Sequence, residues 1–490
     1  MSIGFDTIPG PGSLRKPGVY SEIDNSQAVR GPQSVTYRRL LIGQKLAAGS
    51  AVANTMVRVT SAPQADSLFG AGSMLAGMVR AALAIDTYTE LQVMPLIDNV
   101  AGVAATGTLV FTGPATGSGT IELMIAGRRV SVGVISGDTP TAIGTAAAAA
   151  ITAAADMPVT AVAATGTVTL TSRHKGEAGN SLNARVNYYA GQTLPAGVGV
   201  TASAFTSGAG NPALDTALAA LGDEWLHTWA VPYTDAASLA SIKTELNSRF
   251  AWNREIEAHA FAAARGTQGS LGAIGESHNS QHLSIIMAND EPMPAYEKAA
   301  ETMAIAAYYA AIDPARPIQN LAYAWCLPPA AADRFTNEER NLLLFDGIAT
   351  SKVATDGTML VERLITTYRT NAAGASDISY LDSETLFTLM YIRHDWRDYV
   401  QRKYPRHKLA NDGTRYGIGQ AVVTPVVMKA EAIVKAREWE ELGLVENIDD
   451  FKANLIAERN VSDPNRLDTL LPPDLVNQLR IVANKIQFRL

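Results

Sequence analysis

The chain has 490 residues, is 47% apolar, and carries 40 basic against 47 acidic side chains, for a net charge of −7. That length allows about two to four domains with a large core, the apolar content excludes wholesale disorder, and the acidic balance excludes the basic footprint of a nucleic-acid binder. A single cysteine, Cys326, excludes an internal disulfide and points to a cytosolic folding site; Met1–Ser13 lacks the basic start and apolar run of a signal peptide, and no window reaches the roughly eighteen uninterrupted apolar residues of a membrane span.

Residues 1–36 are punctuated by Pro9-Gly10-Pro11-Gly12, Pro17-Gly18 and Gly31-Pro32, which prevents a compact element. Within them Lys16–Asp24 reads as a short extended piece, with Val19 and Ile23 on one face and Tyr20 and Glu22 on the other. Arg38–Gly43 then reads as a strand and Met56–Thr60 as a second short one. Ser61 is placed to cap a helix that has Pro63 in its first turn and Gly70 as its stop. Ser73 caps a second helix to about Ile85, with Leu75, Met78, Val79, Ala82 and Leu83 at helical spacing, and Glu90–Leu96 returns as a strand. Strand, helix and strand in this order predict a parallel α/β layer.

Composition changes over residues 101–208, which are poor in charge and rich in Gly, Ala, Thr and Val. Strand-like pieces recur at 107–112, 120–125, 129–135, 159–163, 167–171 and 183–189, around one helix at about 139–154. This predicts a β-rich domain inserted between Val100 and Gly210. Beyond it the α/β alternation resumes. Strands are predicted at 225–232, 257–264 and 282–287, and helices at 213–221, 235–249, 269–278 and 296–311, so a doubly wound sheet is the expected core. Thr336 and Glu339 are spaced as a capping box for a helix ended by Gly347. Asp356-Gly357 marks a hairpin between 352–354 and 359–367. Long helices follow at 381–404 and within 422–441, the second closed by Gly443, and then short pieces at 445–447 and 451–458.

The chain ends on Gln478–Leu490, behind Pro472-Pro473-Asp474. Leu479, Ile481 and Ala483 alternate with Arg480, Val482 and Asn484; Ile486 and Phe488 alternate with Gln487 and Arg489, after one slip of phase near Asn484–Lys485. Period-two patterning predicts a half-buried strand with no following partner in sequence. It pairs either with a distant part of its own chain or with another chain.

No convincing chemistry accompanies this architecture. His278 and His282 have the i, i+4 spacing of metal ligands but lack a neighbouring Glu and straddle a helix end and a strand start. Cys326, between Trp325 and Leu327-Pro328-Pro329, has no identifiable base and reads as a small buried hydrophobe. Gly70-Ala71-Gly72 precedes a helix but follows another, which suits a C-cap joined to an N-cap better than a phosphate cradle. Asp223-Glu224, Asp449-Asp450 and Glu438/Glu440/Glu441 fall at element ends or on solvated helix faces. No catalytic, cofactor-binding or metal-binding residue is assigned, and no cofactor is expected. What remains are two extended, sticky arms on an α/β core. A terminal strand of that kind can complete a neighbour's sheet edge, and mutual arm exchange builds rings or helical filaments.

Four segments resemble the contractile phage tail sheath family, and within it the sheaths of Mu-like phages: Lys16-Pro-Gly-Val-Tyr-Ser-Glu-Ile-Asp24, Asn337–Ala349, Val361–Arg369 and Asp474–Arg489. The resemblance implies a structural subunit rather than an enzyme. Its copies stack as hexameric rings around a tail tube protein and contract to drive the tube through the host envelope for genome delivery. The implied partners are other copies, the tube, the baseplate and the tail terminator, with no direct contact to nucleic acid and no membrane insertion. The implied place is the virion, after assembly in the host cytoplasm. The expected partition is an N-terminal linking arm (1–36), a first core segment (37–100), an inserted β-rich outer domain (101–209), a second core segment (210–330), a C-terminal sheath domain (331–472) and a C-terminal linking arm (473–490). Subunit linking falls to Val19, Tyr20 and Ile23 in one arm and to Leu479, Ile481, Ala483, Ile486 and Phe488 in the other. A sheath from a contractile bacteriocin or secretion machine is the alternative, and a Rossmann-like nucleotide-binding enzyme stands behind it.

Overall fold

The computed structural model describes residues 37–489. The expected N-terminal linking residues Val19, Tyr20 and Ile23 lie outside that range. Two compact units are present, 37–395 with 477–489, and 396–476.

The first unit is built on an eight-stranded sheet. Its strands are β1 (Arg38–Gln44), β2 (Val57–Arg58) and β3 (Glu90–Leu96) before the insert. After the insert's seven strands, which run from β4 (Ala104–Thr112) to β10 (Gly199–Ala202), come β11 (Thr228–Ala230), β12 (His259–Ala264), β13 (Leu283–Met287), β14 (Ile348–Val353) and β15 (Met359–Arg363). The order across the sheet is β15-β14-β13-β12-β11-β1-β3-β2. The six strands from β14 to β3 are mutually parallel and the two edge strands antiparallel. Parallel strands are covered on both faces, so they read as unbroken apolar runs: all six residues of β12 and all five of β13 are buried.

The helices of this unit begin where the sequence places caps. Ser61 accepts a hydrogen bond from Gln64 N at the head of α1 (Ala62–Phe69), and Ser73 one from Ala76 N at the head of α2 (Met74–Ile85). Gly70 between them sits at φ 88°, the left-handed stop that a side chain would strain. Thr336 and Glu339 form the reciprocal box on a later helix, Asn337–Phe345. The helix Ala295–Ile312, which packs on α2, β1, β11 and β12, buries fourteen of its eighteen residues. Glu297, Lys298 and Glu301 are among them. Lys298 pairs with Glu291 and donates to Ser351 Oγ at 2.8 Å, Glu297 accepts from Trp325 Nε1 at 2.7 Å, and Glu301 accepts from the backbone of Trp325 and Cys326.

The insert is β-rich as expected, a four-stranded and a three-stranded sheet around the helix Pro140–Ala153. It is tied to the core by paired charges: Arg128 meets buried Glu297 at 2.7 Å, and Arg185 meets Asp290 at 2.6 Å.

The second unit contains the helix Pro425–Glu441, capped by Thr424 and packed through Met428, Ala432, Ala436 and Trp439. Glu431 on this helix receives the hydroxyls of Tyr399 and Tyr404 and the ammonium of Lys403. Burial would raise its pKa, but those hydrogen bonds lower it. A hairpin pairs Ile456–Arg459 with Leu467–Leu470, and Val445–Glu446 pairs with Asp474–Leu475.

Several elements differ from expectation. The predicted strand Met56–Thr60 shrinks to two residues. Phe451–Glu458 is not one piece: Ile448–Asn454 is helical and Ile456–Arg459 begins the hairpin, whose second strand the sequence does not signal. The sheet does not end near residue 330, because Ile348–Val353 and Met359–Arg363, placed by sequence in a C-terminal domain, are its last two strands. The terminal strand is absent: residues 476–489 join no ladder. A strand exists only where another backbone supplies its hydrogen bonds; Val476 N still donates to the Leu444 carbonyl at 3.1 Å, and past it no described backbone continues the pairing.

Candidate assembly interface

In a sheet of this order, a ligand crevice is expected where the connections diverge, at the C-terminal ends of β1 and β11. The insert fills that place. Gln44, the last residue of β1 and fully buried, donates through Nε2 to Asp98 Oδ1 at 2.8 Å and to the Lys175 carbonyl at 2.7 Å. His174 Nδ1 lies 2.9 Å from Asp98, and its Nε2 accepts from Met74 N at 3.1 Å. Burial alone would raise the Asp98 pKa. The hydrogen bonds from His174, Lys175 N and Gln44 outweigh it and hold the carboxyl below its ordinary value. A cavity of about 240 Å³ remains beside the ends of β11 and β12, lined by Glu177, Asn211, Tyr233, Thr234 and Arg265. Small-molecule pockets usually begin near 300 Å³.

The individual candidates resolve similarly. His282 is buried against the Phe250 ring, and burial pushes its pKa down to about 4. His278 is half-buried and no cluster of metal-ligating side chains occurs among the described residues. Cys326 is buried, and burial followed by the charge of Glu301 pushes its thiol pKa well up, the opposite of an activated nucleophile. At Gly72 (φ 76°) a Cβ would collide with the Met157 carbonyl, so this glycine serves the junction of the two helices and the close approach of the insert. Asp223 pairs with Arg254, Glu224 with Arg38, Asp449 with Lys452 and Glu438 with Lys435.

The chain terminus is different. Leu479, Ile481, Ala483, Ile486 and Phe488 are all exposed, Ile486 by 91%. Val482, which the alternation placed on the other face, is exposed as well. One residue of the tail turns inward. Arg480 contacts Asp382 Oδ1 at 3.0 Å and Glu384 Oε1 at 2.9 Å, and donates to Gln319 Oε1 at 3.0 Å. Alternation alone assigns this arginine to the polar face and gives no sign of its partners, which lie about a hundred or more residues upstream. In the second unit, the hairpin pair Ile456 and Leu470 is also half exposed. A lone two-stranded sheet is marginal without further pairing.

Exposed apolar side chains on the tail and on this hairpin, and a filled crevice, are what the described residues present. Comparison with known proteins identifies the class. Residues 207–367 match the phage tail sheath protein central domain, and residues 375–489 match the phage tail sheath C-terminal domain. The chain is 42% identical over 488 residues to the Mu-like prophage FluMu tail sheath protein of Haemophilus influenzae, with all of both chains covered. The chain belongs to the phage tail sheath family, whose members are structural proteins and not enzymes. Among solved structures it is similar to a sheath tail protein from Desulfitobacterium hafniense, at 15% identity, 94% and 100% coverage of the two chains and a TM-score of 0.47. It is likewise similar to a sheath tail protein from Listeria innocua, at 13% identity, 91% and 93% coverage and a TM-score of 0.49.

Proposed function

We propose that this chain is the repeating subunit of a contractile tail sheath in the virion of a Mu-like phage. It polymerises as stacked hexameric rings around the tail tube and contracts to drive the tube through the host envelope. The full-length relationship to a Mu-like tail sheath protein carries this reading. The tail adds the physical reason: six exposed residues over ten positions, Leu479 to Phe488, are apolar or alanine, and the segment has no ladder. Paired with a second copy, their backbone supplies affinity and their side chains register. The free edges of the Ile456–Arg459 and Leu467–Leu470 hairpin are the acceptor this reading favours, with Val19, Tyr20 and Ile23 as the second donor. Tube, baseplate and terminator are the remaining partners, assembly occurs in the host cytoplasm, and the insert (101–209) forms the outer face. Contraction draws on the difference between two packings of the same subunits, so no nucleotide is hydrolysed.

Electron microscopy of the purified full-length chain and of a version lacking Gln478–Leu490 tests the reading. Striated tubes or rings are expected from the first, and a folded, small, monodisperse species from the second. Tubes of normal appearance from the truncated chain overturn the role of the tail. A small monodisperse species from the full-length chain at every concentration overturns the sheath.

A further inference from the structure

Residues 481–489 are all exposed, whereas Arg480 just before them is built in. Only 11% of the Arg480 side chain is exposed, and it faces Glu384, whose side chain is fully buried. Glu384 lies in the first turn of the helix Ser383–Lys403, where the helix dipole favours an anion, and its Oε1 also accepts from Ile318 N at 2.6 Å. Asp382 is already committed: Arg363 grips both of its oxygens, through Nε at 3.0 Å and an amino group at 2.9 Å. With Arg480 in place the cluster holds two carboxylates and two guanidiniums. If Arg480 is withdrawn, Glu384 is a buried carboxylate whose cation is gone, because Arg363 is spent on Asp382. Leaving one partner of a buried pair uncompensated is strongly unfavourable. The fit is also specific in shape. The planar fork spans Gln319 on one side and the two acids on the other, which a lysine ammonium cannot do. Gln319 Nε2 in turn donates to the Leu479 carbonyl at 3.3 Å, so the backbone next to the plug is held too.

We infer that Gln319, Asp382 and Glu384 form a socket that binds the guanidinium of the chain's own Arg480 and roots the C-terminal arm there, leaving the residues past it, from Ile481 on, free to pair with a second copy of this chain. The inference deepens the proposed arm exchange and rests on it for the occupant of the free segment. Residues 481–489 reach about 30 Å when extended. Rooting converts a search by a loose tail into one by a short tether of fixed origin, which raises the effective concentration of the arm at a neighbour.

Trypsin reads the socket directly, because it cuts after both Arg480 and Lys485, and Lys485 is exposed. On full-length chain kept below the concentration that forms tubes, mass-resolved brief digestion is expected to show cleavage after Lys485 at least about tenfold faster than after Arg480. In Glu384→Gln the rate after Arg480 is expected to rise to that after Lys485. Gln319→Ala, at a half-buried position, gives the same direction with smaller size if the Glu384 variant does not fold. Equal cleavage after Arg480 and Lys485 in the unaltered chain overturns the socket. Tube formation separates this idea from the one beneath it. Arg480→Ala is expected to need several-fold more protein to form tubes, whereas loss of Gln478–Leu490 prevents them. Normal tubes from Arg480→Ala, with none from the truncation, overturn the rooting and leave arm exchange standing. Normal tubes from the truncation overturn arm exchange, while the digestion pattern still decides the socket.

Discussion

The helix Ala295–Ile312 and the tail 477–489 both invert the usual rule of burial, in opposite senses. The helix buries Glu297, Lys298 and Glu301, while the tail exposes Ile481, Val482, Ile486 and Phe488. Every inversion in the helix is answered inside the chain, by Arg128 and Trp325, by Glu291 and Ser351, and by the backbone of 325–326. The apolar side chains of the tail are answered by nothing within the described residues. A buried charge with its partner in place is a device of the fold, which knits insert, sheet and loop to one helix. An exposed apolar run without a partner is an invitation to another molecule. The same departure from an average therefore carries opposite meanings, and what separates them is whether the partner lies in the same chain.

The comparison can be broken most severely from the helix side. Lys298→Met keeps volume but strands Glu291, and the denaturant midpoint of the unit is expected to fall by the equivalent of about 3–5 kcal/mol. An unchanged midpoint would mean that these charges are not what ties the unit together. A smaller effect concerns a buried group that stays neutral. His282 has no hydrogen-bond partner for either ring nitrogen among the described residues, and burial sets its pKa at about 4 against 6.5 in an exposed ring. Its folded value lies below the unfolded one. The stability it contributes is therefore complete above about pH 6.5 and is lost as pH falls toward 4. By pH 5 this amounts to about 2 kcal/mol. His282→Phe is expected to flatten the loss of stability between pH 7 and pH 5 by that amount; the same slope in the variant would place the proton uptake elsewhere. The smallest effect on folding belongs to the tail. Ile486→Ser is expected to leave the thermal midpoint within the range of an ordinary surface change, about 0.5 kcal/mol, and yet to weaken tube formation. A large loss of stability from Ile486→Ser would show that the tail packs on its own chain.

Much of the local structure is legible from sequence because its causes are local. Ser61, Ser73 and Thr336 each cap the helix they were expected to cap, since a cap needs only a short polar side chain and the backbone N–H groups that follow it. The hairpin at Asp356-Gly357 forms for the same reason, with Gly357 at φ 89°. The insert announces itself by its lack of charge. Where the cause is distant, the reading stops. Nothing in Thr358–Arg369 says that its hairpin closes the sheet begun at Arg38. Two-residue strands such as Val57–Arg58 have too little pattern to read.

The sequence by itself determined the helix ends, the apolar runs of the parallel strands, the β-rich insert and the unpartnered pattern of the tail, all of which are set within a few residues of chain. Only the tertiary structure decided that the insert plugs the crevice between β1 and β11, that fourteen residues of one helix are buried with their charges paired, and that Arg480 enters a socket made by Gln319, Asp382 and Glu384. The physical reason is common to all three. Hydrogen bonds and ion pairs act over a few ångströms of space, and which residues come that close from as far as 161 positions apart in the chain is fixed by topology, not by pattern.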